Sequence, residues 1–297
     1  MEQQAHANIH PNLNLEKLSA FLLQDPSKSL AFVTSGGTSV PLEKNTVRSI
    51  ENFSTGRRGA LSAEYFMKAG YRVVFLMRRG SLMPVKCRTD LNQLFDQTSL
   101  GGNGQLQNET LFKLIEDYQR VKDQIFVLEY TSLTDYLELL EQISRHINSL
   151  QIASLTFLAA AVSDFYLPLE DMAEHKIQSR DFETLDISLK PSPKLLGKIK
   201  SEWNPSTLCI SFKLETDLDL VEKKALSAIS SYGVDLVVAN QLQTHRWKVI
   251  VYKNQKEGKW SKKGIEIDQQ ERKVDIEEQL IKYIDEQYLD FIKMHLL

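Results

Sequence analysis

With 297 residues and 42% hydrophobic content, the chain is long enough to bury a sizeable core, as one large α/β domain or two smaller ones. A formal charge of −3 and a pI near 6.1 remove the basic footprint of a nucleic-acid binder, although a local basic loop can still hold a small anion. The two cysteines, Cys87 and Cys209, lie far apart without CxxC or His-rich spacing, which argues against a disulfide framework and a zinc site and points to free thiols in a reducing compartment.

Residues 1–14 are polar, with a proline and no period. They lack the basic start and apolar core of a secretion signal, and no apolar stretch reaches bilayer length, so no membrane partner is expected and the expected compartment is cytoplasmic. Leu15, Leu18, Leu22 and Leu23 share one helical stripe, so this N-terminal arm leads into a packing helix over 15–23. Short apolar runs then alternate with amphipathic ones: strand 30–34, helix 58–69, strand 72–77, helix 109–121, strand 125–130, helix 132–148, strand 155–162. Such alternation implies βαβ units. The runs at 71–77 and 155–162 are continuously apolar, which suits strands covered on both faces. The expected class is α/β: a doubly wound, mainly parallel, Rossmann-like sheet with helices on both faces, its ligands bound beyond the strand C-terminal ends.

Between 78 and 117 the chain carries Arg78, Arg79, Gly80, Pro84 and Gly101-Gly102-Asn103-Gly104, and reads as a flexible insertion. Past Val162 the expected order is a loop over 163–180, strand 184–189, helix 193–201, strand 207–213, helix 218–231, strands 234–238 and 248–252, a charged loop over 256–273, and an amphipathic helix over 275–293. No linker or internal repeat divides the chain, so 1–297 reads as a single domain.

Two glycine-bearing loops lie between the first strand and the helix that follows it: Ser35-Gly36-Gly37-Thr38 after the strand, and Asn52-Phe53-Ser54-Thr55-Gly56-Arg57-Arg58-Gly59 before the helix. Either alone is turn chemistry. Together, with hydroxyls and two arginines, they read as a phosphate cradle in which backbone N–H groups meet an anion. Ala159-Ala160-Ala161 bares the backbone for close approach, and Asp164 can accept from a hydroxyl or amide, or serve as a turn residue. Lys176 lies in a polar loop twelve residues further on, where it is either solvated surface or a cation for a transferring phosphoryl group. Phe212 can stack on a planar base or belong to the core, and Asn240 can bond a base or ribose edge or end its strand. Glu215 or Asp217 can reach magnesium or can complement a helix dipole.

In order, SGGT, NFSTGRRG, LAAAVSDF, EHKIQS, KPSPKLL, SFKLETD and VVAN, spread from residue 35 to residue 240, closely resemble phosphopantothenoylcysteine synthetase, the ligase of coenzyme A biosynthesis, in its stand-alone eukaryotic form. The resemblance implies that the carboxylate of 4′-phosphopantothenate attacks the α-phosphate of ATP, with magnesium, to give an acyl-nucleotidylate and pyrophosphate. The amine of cysteine then releases AMP. It also implies a homodimer. By the same resemblance, Gly36, Ser54, Gly56, Gly59, Phe212 and Asn240 correspond to nucleotide contacts, and Asn52, Ala160, Ala161 and Asp164 to phosphopantothenate contacts. Asn52 would donate to the acyl oxygen of the intermediate. Lys176 corresponds to a lysine of a mobile loop, and because Gln178 and Ser179 stand where bacterial forms carry further lysines, single-lysine chemistry is expected. Two rivals use the same sheet: a nicotinamide-dependent reductase, whose GxGxxG and Tyr-x-x-x-Lys signatures are missing, and a nucleotide-binding subunit without turnover.

Overall fold

Along the strand Leu30–Ser35, successive side chains enter two different cores: Ala31 and Val33 pack into one, Leu30 and Phe32 into the other. Period-two alternation with both faces apolar requires this, and it places helices on each side of the sheet. The structure is a computed structural model that describes residues 9–178, 183–254, 262–269 and 274–295. Among these residues the main sheet has eight strands: β1 (Leu30–Ser35), β2 (Arg72–Arg78), β3 (Ile125–Tyr130), β4 (Ser154–Leu158), β5 (Leu208–Glu215), β6 (Leu236–Gln241), β7 (Lys248–Lys253) and β8 (Lys262–Asp268). The helices are α1 (Leu15–Leu23), α2 (Arg57–Lys68), α3 (Leu91–Asp96), α4 (Glu109–Val121), α5 (Leu133–Ser149), α6 (Leu196–Lys198), α7 (Leu218–Tyr232) and α8 (Ile276–His295).

The strand order is β3-β2-β1-β4-β5-β6-β7-β8. Neighbours are parallel from β3 to β6, and β7 and β8 add on antiparallel. The first six strands therefore run 3-2-1-4-5-6, the doubly wound Rossmann order, whose winding reverses between β1 and β4. One core joins α2 and α8 to the sheet through Phe66, Phe157 and Ile284. The other joins α1, α5 and α7 through Leu22, Leu139 and Ala225.

Local signals set most helix ends. Ser132 and Asp135 form a reciprocal capping box on α5, and Asp217 caps α7, which stops at Gly233 in the left-handed region. Helix α2 differs: its N-cap is Gly56, with φ 78° and no side-chain cap. Its first N–H, that of Arg57, meets Thr55 Oγ1 at 3.4 Å, and those that follow lack a cap side chain.

Five sequence expectations are revised. The strand at 155–162 ends at Leu158, because Ala159 onward leaves the ladder to bond the loop after β1. No strand forms over 184–189; Leu185 and Ile187 alternate correctly but find no partner strand and stay exposed, and pairing resumes only where Lys190–Pro191 meets Phe165–Tyr166. The helix at 193–201 is a short α6 followed by a π turn over Ile199–Trp203, closed by Asn204 N–H to Ile199 O at 2.8 Å, which buries Trp203. Within the charged loop expected over 256–273, residues 262–268 form β8, whose Ile267 enters the core, while 255–261 and 270–273 lie outside the described residues. The segment 78–117 is not featureless: it carries the end of β2, a 3-10 turn Lys86–Arg88, α3, a hairpin pairing Ser99–Leu100 with Leu106–Gln107, and the first turns of α4. Residues 1–8 of the expected N-terminal arm are likewise outside the described residues.

Candidate active site

The end of β1 is held from both sides. Tyr130 donates to Ser35 O at 2.9 Å, and Ser35 Oγ donates to Gly56 O at 3.0 Å, tying the first glycine loop to the second. Gly36 and Gly56 both sit in the left-handed region, with φ 88° and 78°. Gly59, one turn into α2, lies so close to β1 that a Cβ there would meet Ser35 Oγ at 2.4 Å. The start of α2 is therefore packed onto the strand end, which brings the positive end of its dipole, and the N–H groups beyond the one that Thr55 Oγ1 takes, to the crevice beyond β1.

The loop after β4 is bonded to the same place. Ala161 N–H donates to Gly36 O at 2.8 Å, and Thr38 N–H returns to Ala161 O at 3.1 Å. Ala160 N–H reaches Thr34 Oγ1 at 3.3 Å, and Ser163 N–H reaches Thr38 Oγ1 at 2.9 Å. Asn52 closes the arrangement: its N–H donates to Thr38 O at 3.2 Å and its Nδ2 to Val162 O at 3.1 Å. Asp164 is exposed beside this wall, with its carbonyl accepting from Ser192 N–H at 2.8 Å. Gly36, Asn52, Ser54, Gly56, Gly59, Ala160, Ala161 and Asp164 thus gather at the switch point between β1 and β4, where open α/β sheets bind ligands.

Phe212 and Asn240 belong to the same sheet edge on β5 and β6, Asn240 two strands and roughly 10 Å from β4. The Phe212 ring packs edge-on against Phe157 with centroids 5.0 Å apart, and remains partly exposed. Asn240 is nine-tenths buried, yet its side-chain oxygen has no hydrogen-bond partner among the described residues. A buried orphan acceptor is costly, and a ligand N–H would satisfy it.

Lys176 lies on a different segment from the glycine loops. It is exposed on a segment held by the turn at 43–48: Lys44 N–H to Ala173 O at 2.9 Å, Asn45 Nδ2 to Glu174 O at 2.8 Å, and Arg48 Nη2 to Ile177 O at 2.6 Å. That turn joins the paired strands Ser39–Pro41 and Ser49–Glu51, and the return strand runs straight into Asn52.

Other readings change. The side chains of Arg57 and Arg58 do not line the cradle. Arg57 donates to Cys87 O at 3.1 Å, and Arg58 pairs with Glu277 at 2.8 Å and bonds His245 O, so both fasten the start of α2 to neighbouring segments. Burial lowers the Arg58 guanidinium pKa and raises that of the Glu277 carboxyl, each opposed by the other's charge. Glu215 is taken up by Lys224 at 2.5 Å and Lys213 at 3.4 Å, and Asp217 by its capping bond to Asp219 N–H at 3.0 Å. Sequence reasoning missed Tyr130 and the Glu43–Arg48 pair, and gave Ser192 no role although it lies in the KPSPKLL string. Nothing in their spacing marks them, because each acts on a segment far away in the chain.

Residues 114–288 match the family model described as the DNA/pantothenate metabolism flavoprotein C-terminal domain. Phosphopantothenate–cysteine ligase 1 of Oryza sativa subsp. japonica is 40% identical over 268 residues, covering 88% of this chain and 81% of its own. The Homo sapiens phosphopantothenate–cysteine ligase is 39% identical over 277 residues, covering 89% and 88%. A mutant Cab2 structure in complex with phosphopantothenate-cysteine superposes with a TM-score of 0.81 at 31% identity, covering 95% of this chain and 94% of that one. Sequence and fold agree along nearly the whole length, and the chain belongs to the phosphopantothenate–cysteine ligase family.

Proposed function

We propose that this protein joins 4′-phosphopantothenate to cysteine in coenzyme A biosynthesis, through an acyl-nucleotidylate made from ATP with release of pyrophosphate and then AMP. The observation that carries this reading is the bonding of both glycine loops and the β4 loop into one crevice, through Ala161 N–H to Gly36 O and Asn52 Nδ2 to Val162 O.

A carboxylate is a poor acyl donor at neutral pH, and its oxygen must first become a leaving group. The uncapped start of α2 supplies N–H donors and a positive dipole end for the phosphates, with Ser54 and the glycines in close approach. Asn52 has two amide donors; Val162 O takes one, and the other is directed to the acyl oxygen as charge builds there. Ala160 and Ala161 form the wall along which phosphopantothenate lies, and the Asp164 carboxylate accepts from its hydroxyl or amide. The orphan oxygen of Asn240 accepts from the amino group of the base, with Phe212 beside it. Lys176 stabilises the acyl-nucleotidylate and closes the site against water, so that the amine of cysteine attacks rather than hydroxide.

Magnesium enters as part of the nucleotide substrate. Among the described residues no group of three or more His, Cys, Asp or Glu side chains can hold a metal, and Glu215 and Asp217 are engaged elsewhere. A homodimer suits the exposed apolar side chains Leu91, Phe95, Phe112 and Ile115 on α3 and α4. The cytoplasm suits two cysteines that are buried and free. No helix among the described residues is long and apolar enough to cross a membrane.

The test is the purified chain with magnesium and 4′-phosphopantothenate, with ATP or CTP and with or without cysteine. Pyrophosphate is expected to require phosphopantothenate, and AMP and ligated product to require cysteine as well. A chain that releases pyrophosphate with neither nucleotide contradicts the reading, and a reductase would release none.

A further inference from the structure

Glu43 is a side chain with no exposed surface, and the chemistry above leaves it unused. Its carboxylate accepts four hydrogen bonds: from Val47 N–H at 3.3 Å, Arg48 N–H at 3.1 Å, Arg48 Nε at 3.0 Å and Arg48 Nη2 at 2.7 Å. Burial alone would favour the neutral acid, but these donors and the guanidinium charge hold the carboxyl below its usual range. The arginine so fixed then donates from Nη2 to Ile177 O at 2.6 Å.

The rest of the turn grips the same segment. Lys44 N–H bonds Ala173 O at 2.9 Å, Asn45 N–H bonds Glu174 O at 3.2 Å, and Asn45 Nδ2 bonds Glu174 O at 2.8 Å and approaches His175 Nδ1 at 3.4 Å. Lys44 Nζ pairs with Glu174 at 2.9 Å. Residues on both sides of Lys176 are therefore held by main-chain or side-chain bonds, and the Lys176 side chain is left exposed. Closing the hairpin does not require this, since its strands pair through Ser39 with Glu51 and Pro41 with Ser49, and Leu42 N–H bonds Arg48 O at 3.0 Å. A buried carboxylate is costly unless well paired, and here its pairing fixes the edge of Arg48 that meets Ile177. The same hairpin ends at Asn52.

We propose that Glu43 is a positioning residue: through Arg48 it holds the 173–177 segment so that Lys176 is presented to the intermediate, coupling the lysine to the hairpin that delivers Asn52. This rests on the ligase reading, in which Lys176 acts at the cysteine step.

The experiment compares wild type, Glu43→Gln, Lys176→Ala and the double variant. One readout is amide hydrogen exchange over 173–178; the other is the ratio of ligated product to pyrophosphate at saturating cysteine. Glu43→Gln is expected to speed exchange in that segment and to lower the ratio roughly 10- to 100-fold, as misplacement of a catalytic group does. In the Lys176→Ala background it is expected to lower the ratio no further. Asn45→Ala, an exposed change that leaves the carboxylate in place, should give the same pattern at smaller amplitude and serves if Glu43→Gln does not fold. Unchanged exchange, or a Glu43→Gln loss that multiplies that of Lys176→Ala, overturns the positioning role of Glu43 while leaving the ligase reading intact. A wild-type chain without pyrophosphate release overturns the ligase reading, and the positioning role with it.

Discussion

The side-chain amide of Asn52 donates to Val162 O at 3.1 Å, so the residue that opens the second glycine loop is fixed to the loop after β4, 110 positions further along the chain. Both loops leave the switch point of the sheet. Moving either displaces the other.

Asn52→Asp places a carboxylate oxygen against the Val162 carbonyl and removes the donor assigned to the acyl oxygen. Formation of ligated product, the step in which negative charge builds on that oxygen, should fall by about 100- to 1000-fold, the loss seen when one oxyanion donor is removed. A product assay at saturating cysteine, with circular dichroism confirming the fold, measures this. Product formation within a few fold of wild type would remove Asn52 from the acyl-oxygen role.

Gly59→Ala puts a methyl group 2.4 Å from Ser35 Oγ and 2.5 Å from Ser35 Cβ, in contact with a buried strand that has little room to give. A loss of about 1–3 kcal/mol in unfolding free energy is expected, together with weaker nucleotide binding as the start of α2 lifts from β1. Denaturant midpoints and nucleotide titration provide the two values. An alanine variant equal to wild type in both would mean that the close seating of α2 on β1 is not needed.

Arg58 and Glu277 form a largely buried pair, with 16% and 7% of their side chains exposed. Arg58→Met leaves the Glu277 carboxylate buried without its cation and should cost about 3–5 kcal/mol, whereas Arg58→Met with Glu277→Leu should recover at least half of that. Urea unfolding of the single and double variants tests this. If the double variant loses as much as the single, the cost comes from something other than a stranded charge, such as the Arg58 bond to His245 O.

The sheet and its two cores were legible because apolar runs of strand length and stripes of helix length carry their own periods, as at 72–77 and 58–69. The end of β4 was not, since Ala159, Ala160 and Ala161 are equally apolar in a ladder and in a loop, and only the bond from Ala161 to Gly36 decides. Lysines and acids around Ile265 and Ile267 concealed β8, whose pairing with β7 is a tertiary fact. The glycine loops were readable as a site because backbone without Cβ is a local property. The direction of Arg57 and Arg58 was not, because their partners at 87, 245, 275 and 277 are set by the fold. For the same reason nothing in the sequence joined Glu43 and Arg48 to Ile177.

Burial, with the Glu64 charge adding to it, pushes the Cys87 thiol up to about 11 from 9.0, against the pull of Arg88 and Arg57. The folded state then holds this proton more tightly than the unfolded chain does. Its contribution to stability is full below about 9 and is lost as pH rises toward about 11. Unfolding free energy measured across that interval should decline, and Cys87→Ala should decline less steeply. Equal slopes would show that the thiol titrates alike in both states.

The acyl-nucleotidylate route is tested most directly by oxygen transfer. With 4′-phosphopantothenate labelled with 18O in its carboxylate, a complete reaction with ATP and cysteine should place one labelled oxygen in the phosphate of AMP, because the carboxylate oxygen becomes part of the leaving group. Label recovered in inorganic phosphate, with ADP in place of AMP, would contradict the account.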